Sequence, residues 1–166
     1  MKTMKTISLI AATFLTAALM SSAVEAGRIP ISGNIAGSES YAPFPDPAQG
    51  FYVNGSVTST DTQLGPFTMY YSATVNFAVL VTPPGDPGVF ELIDANNDAI
   101  LAFYFGNNPD LCANGDLHIV ELATIMGGTG RYAHARGAFT VDRCVNFATG
   151  DTSGTISGTL IVRGNP

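Results

Sequence analysis

From Phe67 to Val81 the chain alternates strictly. Phe67, Met69, Tyr71, Ala73, Val75, Phe77 and Val79 fall on one face and Thr68, Tyr70, Ser72, Thr74 and Asn76 on the other. A period of two over that length predicts a β-strand with one face toward a core. Shorter segments of the same kind recur at Arg28–Ala36, Gly50–Thr58, Gly88–Asp94, Asp98–Phe105, Asp116–Met126, Arg136–Phe147 and Thr152–Arg163. No stretch sustains helical periodicity for more than a few residues. Eight strands joined by short turns predict an all-β fold, an antiparallel meander closed into an eight-stranded barrel, with a β-sandwich as the alternative.

The punctuation agrees. Asp94-Ala95-Asn96-Asn97-Asp98 is built of residues that tolerate tight and left-handed turns, and Thr82-Pro83-Pro84-Gly85-Asp86-Pro87-Gly88 cannot belong to a central strand. Pro43, Pro45 and Pro47 make Tyr41–Gly50 a stiff surface connection, with a lid over one barrel mouth as a second reading.

Residues 1–26 stand apart. Lys2 and Lys5 precede the apolar Ile7–Met20, and Ala23-Val24-Glu25-Ala26 supplies the small residues of a cleavage site. The expected organisation is a signal peptide over 1–26 and one barrel domain over 27–166, secreted or periplasmic after cleavage near Ala26. No membrane insertion is expected. An outer-membrane barrel is disfavoured by the absence of Trp and by the Asn165-Pro166 ending.

Without the leader the chain keeps five arginines, no lysine and twelve acids, a net charge of −7. That excludes nucleic acid as a partner, since such binding is driven by neutralising cations, and it excludes lysine Schiff-base chemistry. Cys112 and Cys144 are the only cysteines. In an oxidising compartment they are expected to form a disulfide.

Cofactor and metal motifs fail. Gly127–Gly130 lacks the Lys-Ser/Thr of a phosphate loop. Asp94-x-Asn96-x-Asp98 imitates a calcium loop but has Ala99 in place of the needed glycine and Phe105 in place of the closing glutamate. His118 and His134 have no zinc spacing. No cofactor and no metal is expected.

Two apolar rows each carry one charge: Glu121 in Leu117, Ile119, Glu121, Ala123, Ile125, and Arg143 in Phe139, Val141, Arg143, Val145, Phe147. If both rows face inward on neighbouring strands the two must pair, because either charge alone is expensive to bury. Glu91, between Val89 and Ile93, is a weaker third member. With Tyr71, the pair could orient the polar group of an otherwise apolar small ligand. The bland reading is a structural ion pair.

The run Gly127-Gly128-Thr129-Gly130-Arg131-Tyr132-Ala133-His134-Ala135-Arg136-Gly137, with Leu64-Gly65-Pro66-Phe67 and Ala95-Asn96-Asn97-Asp98, resembles bacterial secreted allene oxide cyclase-like and dirigent-like barrels, many of unassigned activity. The resemblance covers roughly the last hundred residues. It implies the closed eight-stranded barrel and places Arg136 at the arginine of the family's Ala-Arg-Gly, hence as a pocket candidate. Arg131 stands where catalytic dirigent proteins carry an acid, and the polar set of plant allene oxide cyclases has no counterpart here, so the resemblance implies an uncertain activity that leans away from an enzyme. The expected function is binding of a small apolar ligand or a structural role. The alternative is a cyclase or stereochemical guide acting on a reactive lipid or phenolic intermediate. Related barrels associate, so a homo-oligomer is a further expectation.

Overall fold

A computed structural model of the chain describes residues 26–61, 63–76, 86–106 and 110–163. The expected leader lies outside this set except for Ala26, as do Phe77–Val81 of the long alternating segment.

The described residues form nine strands and one 3-10 turn. The strands are β1 (Ala26–Pro43), β2 (Gly50–Asp61), β3 (Gly65–Asn76), β4 (Gly88–Asp94), β5 (Ala99–Gly106), β6 (Asp110–Leu111), β7 (Leu117–Gly128), β8 (Arg136–Val145) and β9 (Asp151–Arg163). All pairings are antiparallel, in the order β5-β4-β3-β2-β1-β9-β8-β7. Pairing of β5 with β7 closes this ring of eight, with a register shift at Leu101/Ala102. The two-residue β6 continues the line of β5 along β7, opposite His118 and Leu117. Closure leaves no long edge to pair with another chain.

Alternation then sorts every strand into an inner and an outer row. Ile31 and Ile35, Val53 and Val57, Phe67, Met69 and Tyr71, Phe90 and Leu92, Ala123 and Ile125, Phe139 and Val141, Ile156 and Leu160 all point inward and are buried. The middle of the barrel is filled by aromatic rings. Phe90 stacks on Tyr104 at 4.0 Å between centroids and meets Phe139 at 5.6 Å and Tyr71 at 6.0 Å. Each such ring stabilises the fold by about 1.5–3 kcal/mol relative to exposure. Two glycines make the packing possible: Gly55 lies opposite Tyr71 and Gly88 opposite Tyr104, and a Cβ at either place would overlap the tyrosine ring.

One end is closed by two turns that lock together. In the Asp94 turn, the carboxylate accepts the amides of Asn96 (2.8 Å) and Asp98 (3.0 Å), and Asn97 takes the left-handed conformation. The glycine turn after β7 folds over it. Thr129 exchanges bonds with Ala99, its amide donating to the carbonyl and its Oγ1 accepting the Ala99 amide. The Arg131 guanidinium lies 2.6 Å from the Asp94 carboxylate and donates to the Leu64 carbonyl, and the Tyr132 hydroxyl donates to Asp94 as well. Gly130 has positive φ, and a Cβ there would collide with the Asp98 carboxylate. The residues that carried the family resemblance therefore build the plug of the barrel.

Strand β1 corrects one sequence boundary. It continues seven residues past Ala36, to Pro43, with Tyr41 opposite Val53 and Pro43 opposite Phe51. The prolines misled because Pro43 sits on the last rung, where its missing N–H costs nothing further along the ladder.

Cys112 and Cys144 form a disulfide with Cα atoms 6.2 Å apart. It ties the β6 segment to β8. Alkylation of the denatured, unreduced protein should find no thiol. Replacing both cysteines by serine should lower the urea-unfolding free energy by roughly 2–4 kcal/mol, as for a closed loop of this size, with the far-ultraviolet spectrum unchanged.

Candidate functional site: a buried carboxylate–guanidinium cluster

Away from the plugged end, the inner rows of five strands converge on polar atoms. Arg143 on β8 and Glu121 on β7 meet in a bidentate pair, Nε to Oε2 and Nη2 to Oε1, both 3.0 Å. Val141 lies directly opposite Glu121 and Ile119 opposite Arg143, so the pair is diagonal on one face of the ladder.

The Nη1 of Arg143 turns the other way. It donates to Oε2 of Glu39 on β1, to Oγ1 of Thr152 on β9 (3.2 Å) and to the Tyr71 hydroxyl on β3 (3.3 Å). Its guanidinium carbon also stands 4.7 Å from the centroid of the Tyr71 ring. Glu39 collects two phenols: the Tyr71 hydroxyl donates to Oε2 at 2.8 Å and the Tyr41 hydroxyl to Oε1 at 2.6 Å. The Thr152 hydroxyl in turn donates to the Cys144 carbonyl. The side chains of Arg143, Glu39 and Glu121 are only 3–4% exposed, so each of these bonds replaces water that has been lost.

Formally, two carboxylates face one guanidinium. Burial alone would pull the Arg143 guanidinium down, yet Glu121, and Glu39 after it, hold it well above its ordinary value. Burial pushes the phenols of Tyr41 and Tyr71 far up, and Glu39 adds to the effect, while Arg143 opposes it. Tyr104 shifts the same way, chiefly through burial. The site thus holds neutral phenols, their protons given to Glu39, against a charged core, and the phenol oxygens keep acceptor capacity toward a ligand.

Above the cluster the inner rows are only half buried, at Ala73, Val75 and Ile119. Aromatic rings gather at this mouth. Tyr41 stacks on Phe147 at 4.4 Å, and Phe51 meets both edge-on, at 5.4 and 5.6 Å. Phe147, expected in the inner row of β8, lies beyond the strand end and is half exposed. At the plugged end, by contrast, an open groove of about 430 Å³ runs past Asn34, Ser59, Phe67 and Asp94.

Of the residues singled out from the sequence, Glu121, Arg143 and Tyr71 come together. Glu91 and Arg136 do not. Glu91 shares the outer face of β4 with Val89 and Ile93, while Gly88, Phe90, Leu92 and Asp94 take the inner one. Arg136 is exposed at the plugged end and donates through Nη1 to the carbonyls of Met126 (2.9 Å) and Ala135 (2.7 Å). Sequence reasoning missed Glu39, Tyr41 and Thr152. The signal for Glu39 was present as the odd-numbered row Ile31, Gly33, Ile35, Gly37, Glu39, Tyr41, but two glycines interrupt it.

The fold class is that of a dirigent-like closed barrel of eight antiparallel strands. Among solved structures, that of a pterocarpan synthase dirigent protein matches 95% of this chain and 98% of its own length, with a TM-score of 0.55 at 14% sequence identity. No family model matches the chain, and no curated protein matches it.

Two measurements check this geometry. Arg143→Ala should destabilise the protein by about 3–5 kcal/mol, because it strands two buried carboxylates, whereas exposed Arg28→Ala should change stability by less than about 0.5 kcal/mol. The second concerns acid. Burial would raise the Asp94 carboxyl, but the amides of Asn96 and Asp98 and the charge of Arg131 outweigh it and leave the group below its usual value. A depressed carboxyl contributes stability that is present above about pH 3.9, its unfolded value, and lost as pH falls through the folded one. Asp94→Asn should therefore be less stable at neutral pH and lose less of its remaining stability on acidification, read as the urea midpoint against pH.

Proposed function

We propose that this chain is exported and binds a small, largely apolar ligand at the end of the barrel that holds the buried cluster, with the ligand's polar group meeting Glu39, Tyr71, Arg143 and Glu121. The observation that carries this reading is the cluster's composition and place. Glu121 alone balances the charge of Arg143, and the neutral oxygens of Thr152 and Tyr71 accept from its remaining arm. Here a second carboxylate and two phenols are gathered beneath a half-buried apolar mouth, at the cost of desolvating all of them. Export is supported by the basic and apolar start of the chain and by the Cys112–Cys144 bridge, which suits an oxidising compartment.

A second reading is favoured by the fold neighbour, a dirigent protein named as a pterocarpan synthase. In this reading the chain is a stereochemical guide for a reactive intermediate. The intermediate supplies the reactivity. The barrel supplies orientation and a dry wall, and Glu39 with its two phenols supplies a proton donor or acceptor at one defined place.

Native mass spectrometry of the protein from its own source should show a retained small molecule, apolar with a hydroxyl or carbonyl group. Glu39→Gln and Tyr71→Phe, which keep the size of the side chain, should weaken rebinding of that molecule about tenfold or more, equivalent to about 1.4 kcal/mol. A ligand-free protein whose two variants change only stability would leave the cluster a structural device and overturn the binding reading.

A further inference from the structure

The buried cluster is sealed. With the side chains of Glu39, Glu121 and Arg143 only 3–4% exposed, no atom of a ligand touches them until something moves. The hydrogen bonds single out what moves. Oε2 of Glu39 takes the Arg143 guanidinium and the Tyr71 hydroxyl, whereas Oε1, among the described residues, takes only the Tyr41 hydroxyl. Tyr71 is buried and bonded to Arg143 as well, while Tyr41 is half-buried and the outermost member of the set. Its ring leans on the half-exposed Phe147 and on the edge of Phe51. That platform is fixed. The turn carrying Phe147 is held by the Ala148 and Thr149 amides, which donate to Oδ1 of Asn146 (3.1 and 3.2 Å), and by the Glu39 amide, which donates to the Gly150 carbonyl (2.8 Å). Rotation about χ1 takes the Tyr41 side chain off it with no change in the backbone.

We propose that Tyr41 is the latch of this site: its side chain swings aside, and a hydroxyl of the ligand takes its place as the donor to Oε1 of Glu39. The latch rests on the binding reading above, and it adds which polar group the ligand must carry. A carboxylate oxygen only accepts, so the vacated place selects an O–H donor. It rejects an ether of the same shape, which would set two acceptors face to face and leave Glu39 bare. In every closed molecule the Tyr41 phenol competes with the ligand, and the observed affinity is the intrinsic one reduced by the fraction of molecules that stand open. Tyr71 has the opposite role. Bonded to Glu39 and Arg143 at once, it holds the carboxylate in place for either donor.

The probe is para-tert-butylphenol, apolar with one hydroxyl, and its methyl ether is the control, both titrated by calorimetry. The unmodified protein should bind the phenol about tenfold more tightly than the ether. Tyr41→Phe keeps the ring and loses the competing hydroxyl, so it should bind the phenol about tenfold more tightly still. Glu39→Gln should weaken that binding and narrow the preference over the ether. Were Tyr41 a structural residue alone, the sign at Tyr41→Phe would be reversed, since a loosened site binds less well. Should Tyr41→Phe fail to fold, Phe147→Ala removes the stacking partner without touching the cluster and should tighten binding of the phenol about threefold. Phenol bound no better by Tyr41→Phe, with Glu39→Gln still weakening it, would overturn the latch and leave the binding reading standing. Failure of the unmodified protein and of Tyr41→Phe alike to bind it at about 1 mM would overturn both.

Discussion

The arrangement of the barrel interior depends on one buried charge. Arg143 sits where no water reaches it, and a guanidinium cannot escape that position by losing its proton. It must be surrounded, and its planar fork dictates by what. Two parallel N–H groups suit one carboxylate held edge-on, which fixes Glu121 and so the register of β7 against β8. The remaining Nη1 points across the barrel and needs acceptors from the far side, which Glu39, Tyr71 and Thr152 supply from β1, β3 and β9. A single side chain thereby couples five of the eight strands. A one-residue slip in any of them would turn its polar atom outward and leave a buried polar group without a partner.

That requirement also explains why the tyrosines lie where they do. Glu39 could not be buried beside Arg143 with one oxygen bare. Tyr41 and Tyr71 close it with hydroxyl protons, while their rings continue the apolar wall. For Tyr71 the ring needs room above β2, which Gly55 provides. The plugged end solves a similar problem with different means. There Asp94 is satisfied by its own turn's amides and by Arg131, a residue on the glycine turn, so the pairing of the two turns completes the end of the barrel rather than creating a site.

Much of this was legible in the chain. All eight barrel strands could be placed by alternation and turn chemistry, and the Glu121–Arg143 pair followed from the cost of burying either residue alone. Glu39 escaped because Gly33 and Gly37 erase the apolar signal of its row and because the prolines after it suggested that β1 had already ended. Arg136 rested on the family's Ala-Arg-Gly alone, and Glu91 shows a different limit. Alternation divides residues between two faces but does not say which face is inside, and apolar content is the usual guide. On β4 that guide fails, since Val89 and Ile93 flank Glu91 on the outside while larger apolar residues, Phe90 and Leu92, take the interior.

The failure at Glu91 has a physical cause that reaches beyond one residue. A strand apolar on both faces is normal only where both faces are covered. In a closed barrel the inner face is covered by the barrel itself, and an apolar outer row stays exposed. Strands β1 and β9 obey the ordinary rule, with hydroxyls outward. Strands β4, β5 and β7 do not, and they are neighbours. Glu91, which alternation placed in the pocket, stands on the face that breaks the rule, and Arg136, placed there by the family's Ala-Arg-Gly, is exposed beyond β7 with its guanidinium on the Met126 carbonyl.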